Sequence, residues 1–363
     1  MRVVGLMSGT SLDGIDAAVA DIELAGDVVS LRPIGTLDAA YDAALHDDIE
    51  AAMPPALTTF EAVCRLDTRI GQAFAALAAR AIERHGGELV VSHGQTLFHW
   101  VDDGRVHGTL QLGQPAWIAE RTGLPVVSDL RARDVAAGGQ GAPLVSFLDQ
   151  LLLQGRPGTP AALNLGGIAN LTVGGLAFDV GPANALLDAA ARHFTGARYD
   201  EDGRLAASGR VLPELLEHLL RDPFYARPAP KTTGKEHFHA HYVDYGDASA
   251  PDVLATLTRL TAQTVADAAR AHGVTELIAS GGGVRNPTLM AALREHLPVT
   301  TSDALGLPAQ AKEAYGFALL GFLSYHGIPA TLASATGARH ASVLGSITPG
   351  SGTGPAPRVM RVG

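Results

Sequence analysis

The sequence contains one cysteine, no cluster of lysine and arginine, and no long apolar run. The lone Cys64 excludes an internal disulfide framework and is typical of a protein in a reducing cytosol. The formal net charge of −10 argues against nucleic acid as a partner, because that affinity depends on cationic contacts to phosphate. No apolar stretch approaches the ~18 residues of a membrane helix, and no secretory signal is apparent. We therefore expect a cytoplasmic protein without a membrane partner.

Glycine, in contrast, is abundant, with 42 of 363 residues, which predicts many tight turns. The length predicts two or three domain-sized units. The chain opens with two apolar runs, Val3–Met7 and Ile15–Val19, around a cluster of Gly, Ser, Thr and Asp. This pattern predicts two strands joined by a turn. Because glycine lets backbone N–H groups approach an anion and hydroxyls add donors, we predict that the turn binds nucleotide phosphate. An ordinary hairpin is the alternative.

The same arrangement returns in the middle of the chain. Residues 161–165 are apolar, Gly166 and Gly167 form a turn, and residues 168–173 are apolar again. Because one strand–glycine–strand unit begins each half of the chain, we predict a duplicated architecture with two lobes.

Polar residues follow two further predicted strands of the first half. One strand ends at the segment SHGQT, which begins at Ser92 and includes His93, and the other leads into residues 129–134. Polar residues at such strand ends commonly face a ligand in α/β folds. His93 is a candidate for substrate binding or acid–base work, and a packed histidine bonded to backbone is the alternative. Arg131 would suit an anionic substrate, because guanidinium binds carboxylate in a planar fork, and a surface charge cluster is the alternative.

Asp179 ends another apolar strand, and Gly181-Pro182 turns the chain directly after it. Asn184 is placed to cap a helix over residues 185–193. A carboxylate held at a strand end suits a general base, whereas a simple turn aspartate is the alternative.

Further along, the strand 277–279 runs into three glycines, Gly281–Gly283, followed by a helix from Thr288. The glycines remove side chains, so a flat ring and a ribose can lie against the backbone, which favours adenosine binding.

Two weaker patterns lie between these segments. Residues 229–235 nearly match a P-loop, but Glu236 stands where Ser or Thr would hold Mg²⁺, and no apolar strand precedes it. We therefore reject a Walker motif. Three alternating histidines could bind a metal, but no Asp, Glu or Cys completes a set nearby, so no protein metal site is predicted. These histidines are His237, His239 and His241.

Taken together, residues 3–21, 161–184 and 277–290 resemble the actin, hexokinase and heat-shock-chaperone superfamily of ATP-binding proteins. Within it, the segments GLMSGTSLDGIDAAV, SHGQT, RARDVAAGGQGAPLV, LNLGGIANLT, FDVGPAN, PKTTGKE and SGGGVRNP resemble the anhydro-N-acetylmuramic acid kinase family. The resemblance implies an α/β, two-lobe, actin-like (ribonuclease H-like) ATPase fold with the active site in the interlobe cleft. The expected lobes are residues 1–135, rejoined by residues 350–363, and residues 136–349.

The resemblance also implies the chemistry. ATP with Mg²⁺ would phosphorylate the 6-hydroxyl of 1,6-anhydro-N-acetylmuramic acid while water opens the anhydro bridge, in peptidoglycan recycling. Asp179 would be the base that activates the water, and the protein is expected to form a homodimer. The residues expected to bind the nucleotide are Gly9, Thr10, Ser11, Leu12, Asp13, Gly14, Ile15, Asp16, Gly166, Gly167, Gly281, Gly282, Gly283 and Arg285. The residues expected to bind the sugar are Ser8, His93, Arg131, Asp134 and Glu313.

This chain departs from the family motif FDTGPGN at two positions, with Val180 and Ala183 in place of Thr and Gly. The first change removes a hydroxyl beside the base, and the second restricts the turn. We expect them to affect the catalytic efficiency of the enzyme more than the reaction that it catalyses. A kinase for another 1,6-anhydro sugar, such as levoglucosan, remains an alternative. An ATP-driven binding switch of the chaperone or actin kind is the alternative from a different functional class.

Overall fold

The computed structural model describes residues 1–9, 12, 14–234, 237–352, 354, 356 and 358–362. The chain divides into two compact units. The first unit comprises Met1–Gly141, Ala314–Thr331 and Ala338–Gly363, and the second comprises Ala142–Glu313 and Leu332–Gly337. The first change of unit thus falls at Gly141, six residues after the boundary that we expected from the sequence, and the chain returns to the first unit at Ala314.

The strands are β1 (Arg2–Ser8), β2 (Ile15–Ala25), β3 (Val28–Ala39), β4 (Leu89–Asp102), β5 (Arg105–Leu112), β6 (Val126–Ser128), β7 (Pro160–Leu165), β8 (Ile168–Val173), β9 (Leu176–Pro182), β10 (Glu276–Ser280), β11 (Val299–Thr301) and β12 (Ser346–Thr348). The helices are α1 (Ala43–Ala52), α2 (Phe60–His85), α3 (Pro115–Thr122), α4 (Ala132–Ala136), α5 (Ser146–Leu153), α6 (Asn184–Thr195), α7 (Arg204–Ser208), α8 (Pro213–Leu220), α9 (Ala250–Ala271), α10 (Pro287–Arg294), α11 (Lys312–Tyr325) and α12 (Ala333–Thr336). Within the described part of the chain, no helix has both the length and the apolar character needed to cross a membrane.

The sheet of the first unit has the order β12-β6-β4-β1-β2-β3, with β5 paired to β4. Strands β1, β2 and β3 form an antiparallel meander, whereas β4 is parallel to β1 and β6 is parallel to β4. Helix α2 packs its apolar face on this sheet, with Ile70 and Phe74 fully buried against core residues such as Leu6. Thr59 fixes the start of α2, because its hydroxyl oxygen accepts the N–H of Ala62.

The sheet of the second unit has the order β11-β10-β7-β8-β9. Strands β7, β8 and β9 form an antiparallel meander, and β10 runs parallel to both β7 and β11. Each unit therefore contains a three-stranded meander whose first strand is extended on its other side by two parallel strands. Both predicted hairpins and the duplicated α/β plan are confirmed.

Two apolar clusters stabilise the second unit. One lies on the sheet and includes Leu163, Leu171 and Val180. The other gathers residues of α6, α8 and α9 around the buried rings of Phe224 and Phe238. The second cluster anchors the irregular segment between α8 and α9, which contributes to the candidate site.

Candidate active site

In the first unit, a buried amide holds the two ends of the predicted phosphate turn. Because β1 and β4 are parallel, Ser8 at the end of β1 pairs with Gln95 in the middle of β4. The predicted strand end at SHGQT is wrong, because β4 continues to Asp102 in its pairing with β5. The Ser8 Oγ lies 2.7 Å from Gln95 Oε1 and 2.7 Å from the Gly14 carbonyl oxygen. Gln95 Nε2 donates to the Gly9 carbonyl at 3.2 Å, and the Tyr41 hydroxyl donates to Gln95 Oε1 at 3.1 Å. Burial raises the pKa of Tyr41, which keeps this hydroxyl a donor.

The turn itself is described only in part. Leu12 adopts a φ of 59°, and its side chain and that of Ile15 belong to the apolar core. They can therefore offer only backbone groups to a phosphate. Asp16, at the start of β2, is exposed. The predicted nucleotide contacts that lie outside the described residues are Thr10, Ser11 and Asp13.

His93 orients Arg131 in the first unit. The Arg131 Nε donates to His93 Nε2 at 2.8 Å, and His93 Nδ1 lies 2.8 Å from the Gly94 carbonyl. Because arginine can only donate, His93 Nε2 is the acceptor and Nδ1 carries the proton. The Phe317 ring packs against His93 with 4.5 Å between centroids, and the Arg131 Nη1 donates to the Gly141 carbonyl at 2.7 Å. Both nitrogens of the predicted sugar-binding histidine are thus used within the unit.

The surroundings of His93 keep its ring neutral. Burial, followed by the charge of Arg131, holds the pKa of His93 well below its ordinary value. His93 is only 3% exposed. The alternative interpretation, a packed histidine bonded to backbone, is correct for Nδ1. Nε2, in addition, accepts a hydrogen bond from the Arg131 guanidinium.

The two predicted acidic sugar ligands differ in exposure. Asp134 is 0% exposed, and its Oδ2 accepts the N–H of Gly141 at 2.8 Å. It shapes the glycine-rich loop from beneath rather than presenting a carboxylate at its surface. Glu313, by contrast, is exposed on α11 and belongs to the second unit.

In the second unit, Asp179 is the central residue of β9 and pairs with Asn170 of β8. The prediction that it ends the strand is wrong, because β9 continues through Gly181 and Pro182. Its Oδ2 accepts the N–H of Thr233 at 2.8 Å, and its own N–H donates to the Lys231 carbonyl at 2.9 Å. The irregular segment 231–233 therefore runs alongside Asp179 and fixes the orientation of its carboxylate. The side chain remains half-buried.

The Gly166-Gly167 turn lies against the start of α6. The N–H groups of Ala183 and Asn184 donate to the carbonyls of Gly167 and Gly166, at 3.0 and 3.1 Å. The predicted cap is wrong in detail: Ala183 is the N-cap, and the Asn184 side chain donates to the Leu165 carbonyl at 3.1 Å. The turn thus satisfies N–H groups that the first turn of a helix leaves unpaired.

Both departures from the family motif are accommodated. Val180 is 2% exposed and packs in the core of the sheet. The Val180 side chain thus lies among apolar residues, whereas the Asp179 carboxylate accepts the Thr233 N–H. Ala183 has a φ of −125°, so this turn does not use the positive φ values that favour glycine.

The glycines after β10 allow the turn to lie directly on β7. A Cβ on Gly281 would lie 2.6 Å from Asn164 Oδ1, and a Cβ on Gly283 would lie 2.6 Å from Leu165 Cβ. Gly281 also has a φ of 86°, which disfavours other residues. The exposed members of the predicted nucleotide set in this turn are Gly282 and Arg285.

Sequence reasoning missed Gln95 and Thr233 as functional residues. Both lie within motifs of the family resemblance, SHGQT and PKTTGKE. Neither a glutamine nor a threonine by itself indicates a hydrogen-bond partner that is distant in the sequence. The available signal for Gln95 was its place shortly after the buried apolar residues 89–91, which lie beside β1 in the sheet.

Sequence comparison identifies the family to which this chain belongs. The family model described as anhydro-N-acetylmuramic acid kinase matches residues 1–350. An anhydro-N-acetylmuramic acid kinase from Streptomyces coelicolor is 62% identical over 100% of this chain and 99% of its own length. A protein of the same name from Rhodococcus erythropolis is 55% identical, over 100% of this chain and 99% of its own length. The resemblance seen in the motifs is thereby confirmed.

Proposed function

Because the chain belongs to the anhydro-N-acetylmuramic acid kinase family, we propose that it phosphorylates the 6-hydroxyl of 1,6-anhydro-N-acetylmuramic acid. ATP is the donor, water opens the anhydro bridge, and the products are N-acetylmuramic acid 6-phosphate and ADP. This reaction would serve peptidoglycan recycling in the cytoplasm. The observation that carries the proposal is the Asp179 carboxylate on β9, which the Thr233 N–H orients.

Asp179 is the proposed general base. It accepts a proton from water as the water oxygen bonds to the anomeric carbon of the sugar. The bond between that carbon and O6 breaks, and O6 takes the γ-phosphoryl group from ATP. The Thr233 N–H bond supports this role because it fixes the plane of the carboxylate before the water arrives.

The nucleotide is assigned to the glycine turns. The turn at Gly281–Gly283 lacks the side chains that would separate an adenosine from β7. The Gly166-Gly167 turn and the turn at Gly9–Asp16 supply backbone N–H groups for phosphate oxygens, whose charge must be stabilised in phosphoryl transfer. Mg²⁺ would neutralise phosphate charge, and the exposed Asp16 offers the kind of oxygen ligand that Mg²⁺ prefers.

The proposed sugar-binding residue of the first unit is Arg131. Muramic acid differs from a simple anhydro sugar by a lactyl carboxylate, and a guanidinium is the side chain best suited to bind it. His93 fixes Arg131 for this contact, and Ser8 and Asp134 support the neighbouring loops from within. The exposed Glu313 is the proposed acceptor for a sugar hydroxyl.

The test is ADP release by purified protein with ATP and Mg²⁺, offered 1,6-anhydro-N-acetylmuramic acid or levoglucosan. Stimulation by the muramic sugar alone would support the proposal. Stimulation by levoglucosan alone would transfer the mechanism to another substrate, and stimulation by neither would overturn the kinase assignment. We also propose a homodimer, which sedimentation equilibrium of the full chain would distinguish from a monomer.

A further inference from the structure

The ring of His237 is held on both nitrogens and on one face. Its Nε2 lies 2.9 Å from Asp222 Oδ2, and its Nδ1 lies 3.3 Å from Thr233 Oγ1. The ring stacks on Phe238 with 4.3 Å between centroids and an interplanar angle of 10°. These contacts restrain the orientation of the ring. The position of Thr233 therefore depends on that of Asp222 through the ring.

Asp222 anchors the ring at its far side. Its Oδ2 also accepts the Tyr242 hydroxyl at 2.7 Å, and its Oδ1 accepts the N–H of Phe224 at 2.8 Å. Burial raises the pKa of Asp222, but the hydrogen bonds from Tyr242, Phe224 and His237 outweigh burial and lower it overall. An ionised Asp222 accepts from His237 Nε2–H, which leaves Nδ1 to face the Thr233 hydroxyl.

Thr233 links this anchor to the proposed base. Its hydroxyl contacts His237, and its backbone N–H donates to Asp179 Oδ2 at 2.8 Å. The segment 231–234 has neither helix nor strand geometry, so its position depends on side-chain bonds together with the backbone bond from Asp179 to the Lys231 carbonyl. Lys231 holds the segment's beginning, because its Nζ donates to the carbonyls of Phe224 and Tyr225 at 3.0 Å each.

We propose that His237, anchored by Asp222, is a positioning residue that sets the Asp179 carboxylate through Thr233. The inference rests on the proposed role of Asp179 as the base. Proton abstraction requires the carboxylate at hydrogen-bond distance from the water in the correct plane, and small misplacements are costly. His239 and His241, the other two members of the alternating set, are exposed and take no part.

The first test compares four variants in sugar-dependent ADP release. His237→Gln retains a donor near Nε2 but loses the contact at Nδ1, and Thr233→Val retains the backbone N–H but loses the hydroxyl. We expect each to lower kcat roughly tenfold to a hundredfold while KM for ATP and for the sugar stays within about twofold. Thr233→Ser keeps the hydroxyl and should restore most of kcat. His241→Asn is the matched control and should behave as the parent does.

A second test asks whether His237 acts through Asp179. In an Asp179→Asn background, His237→Gln should lower turnover no further, because the group that it positions is already lost. An equal loss in both backgrounds, or an unchanged kcat in both His237→Gln and Thr233→Val, would overturn the inference. Thermal unfolding of each variant separates a folding defect from a positioning defect, and near-isosteric Thr233→Val provides the readout if His237→Gln does not fold. Absence of sugar-stimulated ADP release in the parent would instead overturn the proposed function, and the inference with it.

Discussion

The two sheets share one plan but differ in the charge of the polar side chains that they position. In the first, β3-β2-β1-β4-β6 runs in the same order as β9-β8-β7-β10-β11 in the second. The first unit presents a cation, Arg131, and a buried amide, Gln95, whereas the second presents the carboxylate of Asp179. The duplicated backbone therefore provides the positions, and the side chains carried on and after the strands determine the chemistry.

A histidine stands behind the charged group in each unit, but the two are connected differently. His93 bonds Arg131 directly and is 3% exposed. His237 reaches Asp179 only through Thr233, and its side chain is 34% exposed. We expect the direct bond from His93 to affect binding of the anionic substrate by Arg131. We expect the indirect contact from His237 to affect the placement of the proposed base, Asp179.

The largest effect should come from the second unit. Asp179→Asn removes the proposed base while keeping an oxygen that can accept the Thr233 N–H. Turnover should fall roughly 10²- to 10⁴-fold, the usual range for a lost general base. Binding of ATP and sugar, measured by calorimetry, should persist. The exposed Asp267→Asn on α9 controls for the loss of one negative charge, and near-normal turnover in Asp179→Asn would end the base assignment.

An intermediate effect should come from the first unit. Arg131→Lys keeps the charge but cannot bond both His93 and the Gly141 carbonyl while forming a planar fork. A charge-assisted hydrogen bond contributes about 1.5–3 kcal/mol, so KM for the muramic sugar should rise roughly 10- to 100-fold, with a smaller change in kcat. Exposed Arg133→Lys is the neighbouring control. A lowered kcat with unchanged KM would contradict the proposed contrast, in which the first unit binds the sugar and the second unit provides the general base.

Local pattern was sufficient to predict the shared plan. Apolar runs around glycines predicted both hairpins, but the prediction that Asp179 ends its strand was wrong, because β9 continues through Gly181 and Pro182 and still pairs with β8 there. The hydrogen bonds between Ser8 and Gln95 and between Thr233 and Asp179 join residues 87 and 54 positions apart. Such pairs exist only after the sheets form, so no spacing rule could predict them.

The burial of individual side chains was the second feature that the sequence could not predict. Asp134 looks like a surface carboxylate beside a glycine-rich turn, yet its side chain is fully buried because the loop closes over it through Gly141. The three alternating histidines suggest one strand face, but their segment is irregular, so only His237 turns toward Asp222. Tertiary context decided both outcomes.

The smallest effect should be a pH dependence of stability in the first unit. Burial and the Arg131 charge lower the pKa of His93, so below about pH 6.5 the unfolded chain binds more protons at this residue than the folded protein does. The contribution of His93 to the free energy of unfolding is thus fully present above that pH and declines as the pH falls toward the lowered pKa. The slope can reach at most about 1.4 kcal/mol per pH unit for one group.

His93→Gln should flatten this part of the curve, because glutamine can accept from Arg131 without titrating. Thermal unfolding of both proteins between pH 7 and pH 5 measures the difference, and exposed His107→Gln in the same unit should leave the parent's slope unchanged. Parallel curves for the parent and His93→Gln would mean that His93 can take up a proton without releasing Arg131. The direct support that distinguishes the first unit from the second would then be absent, and Arg131 would need another partner to hold it for the substrate.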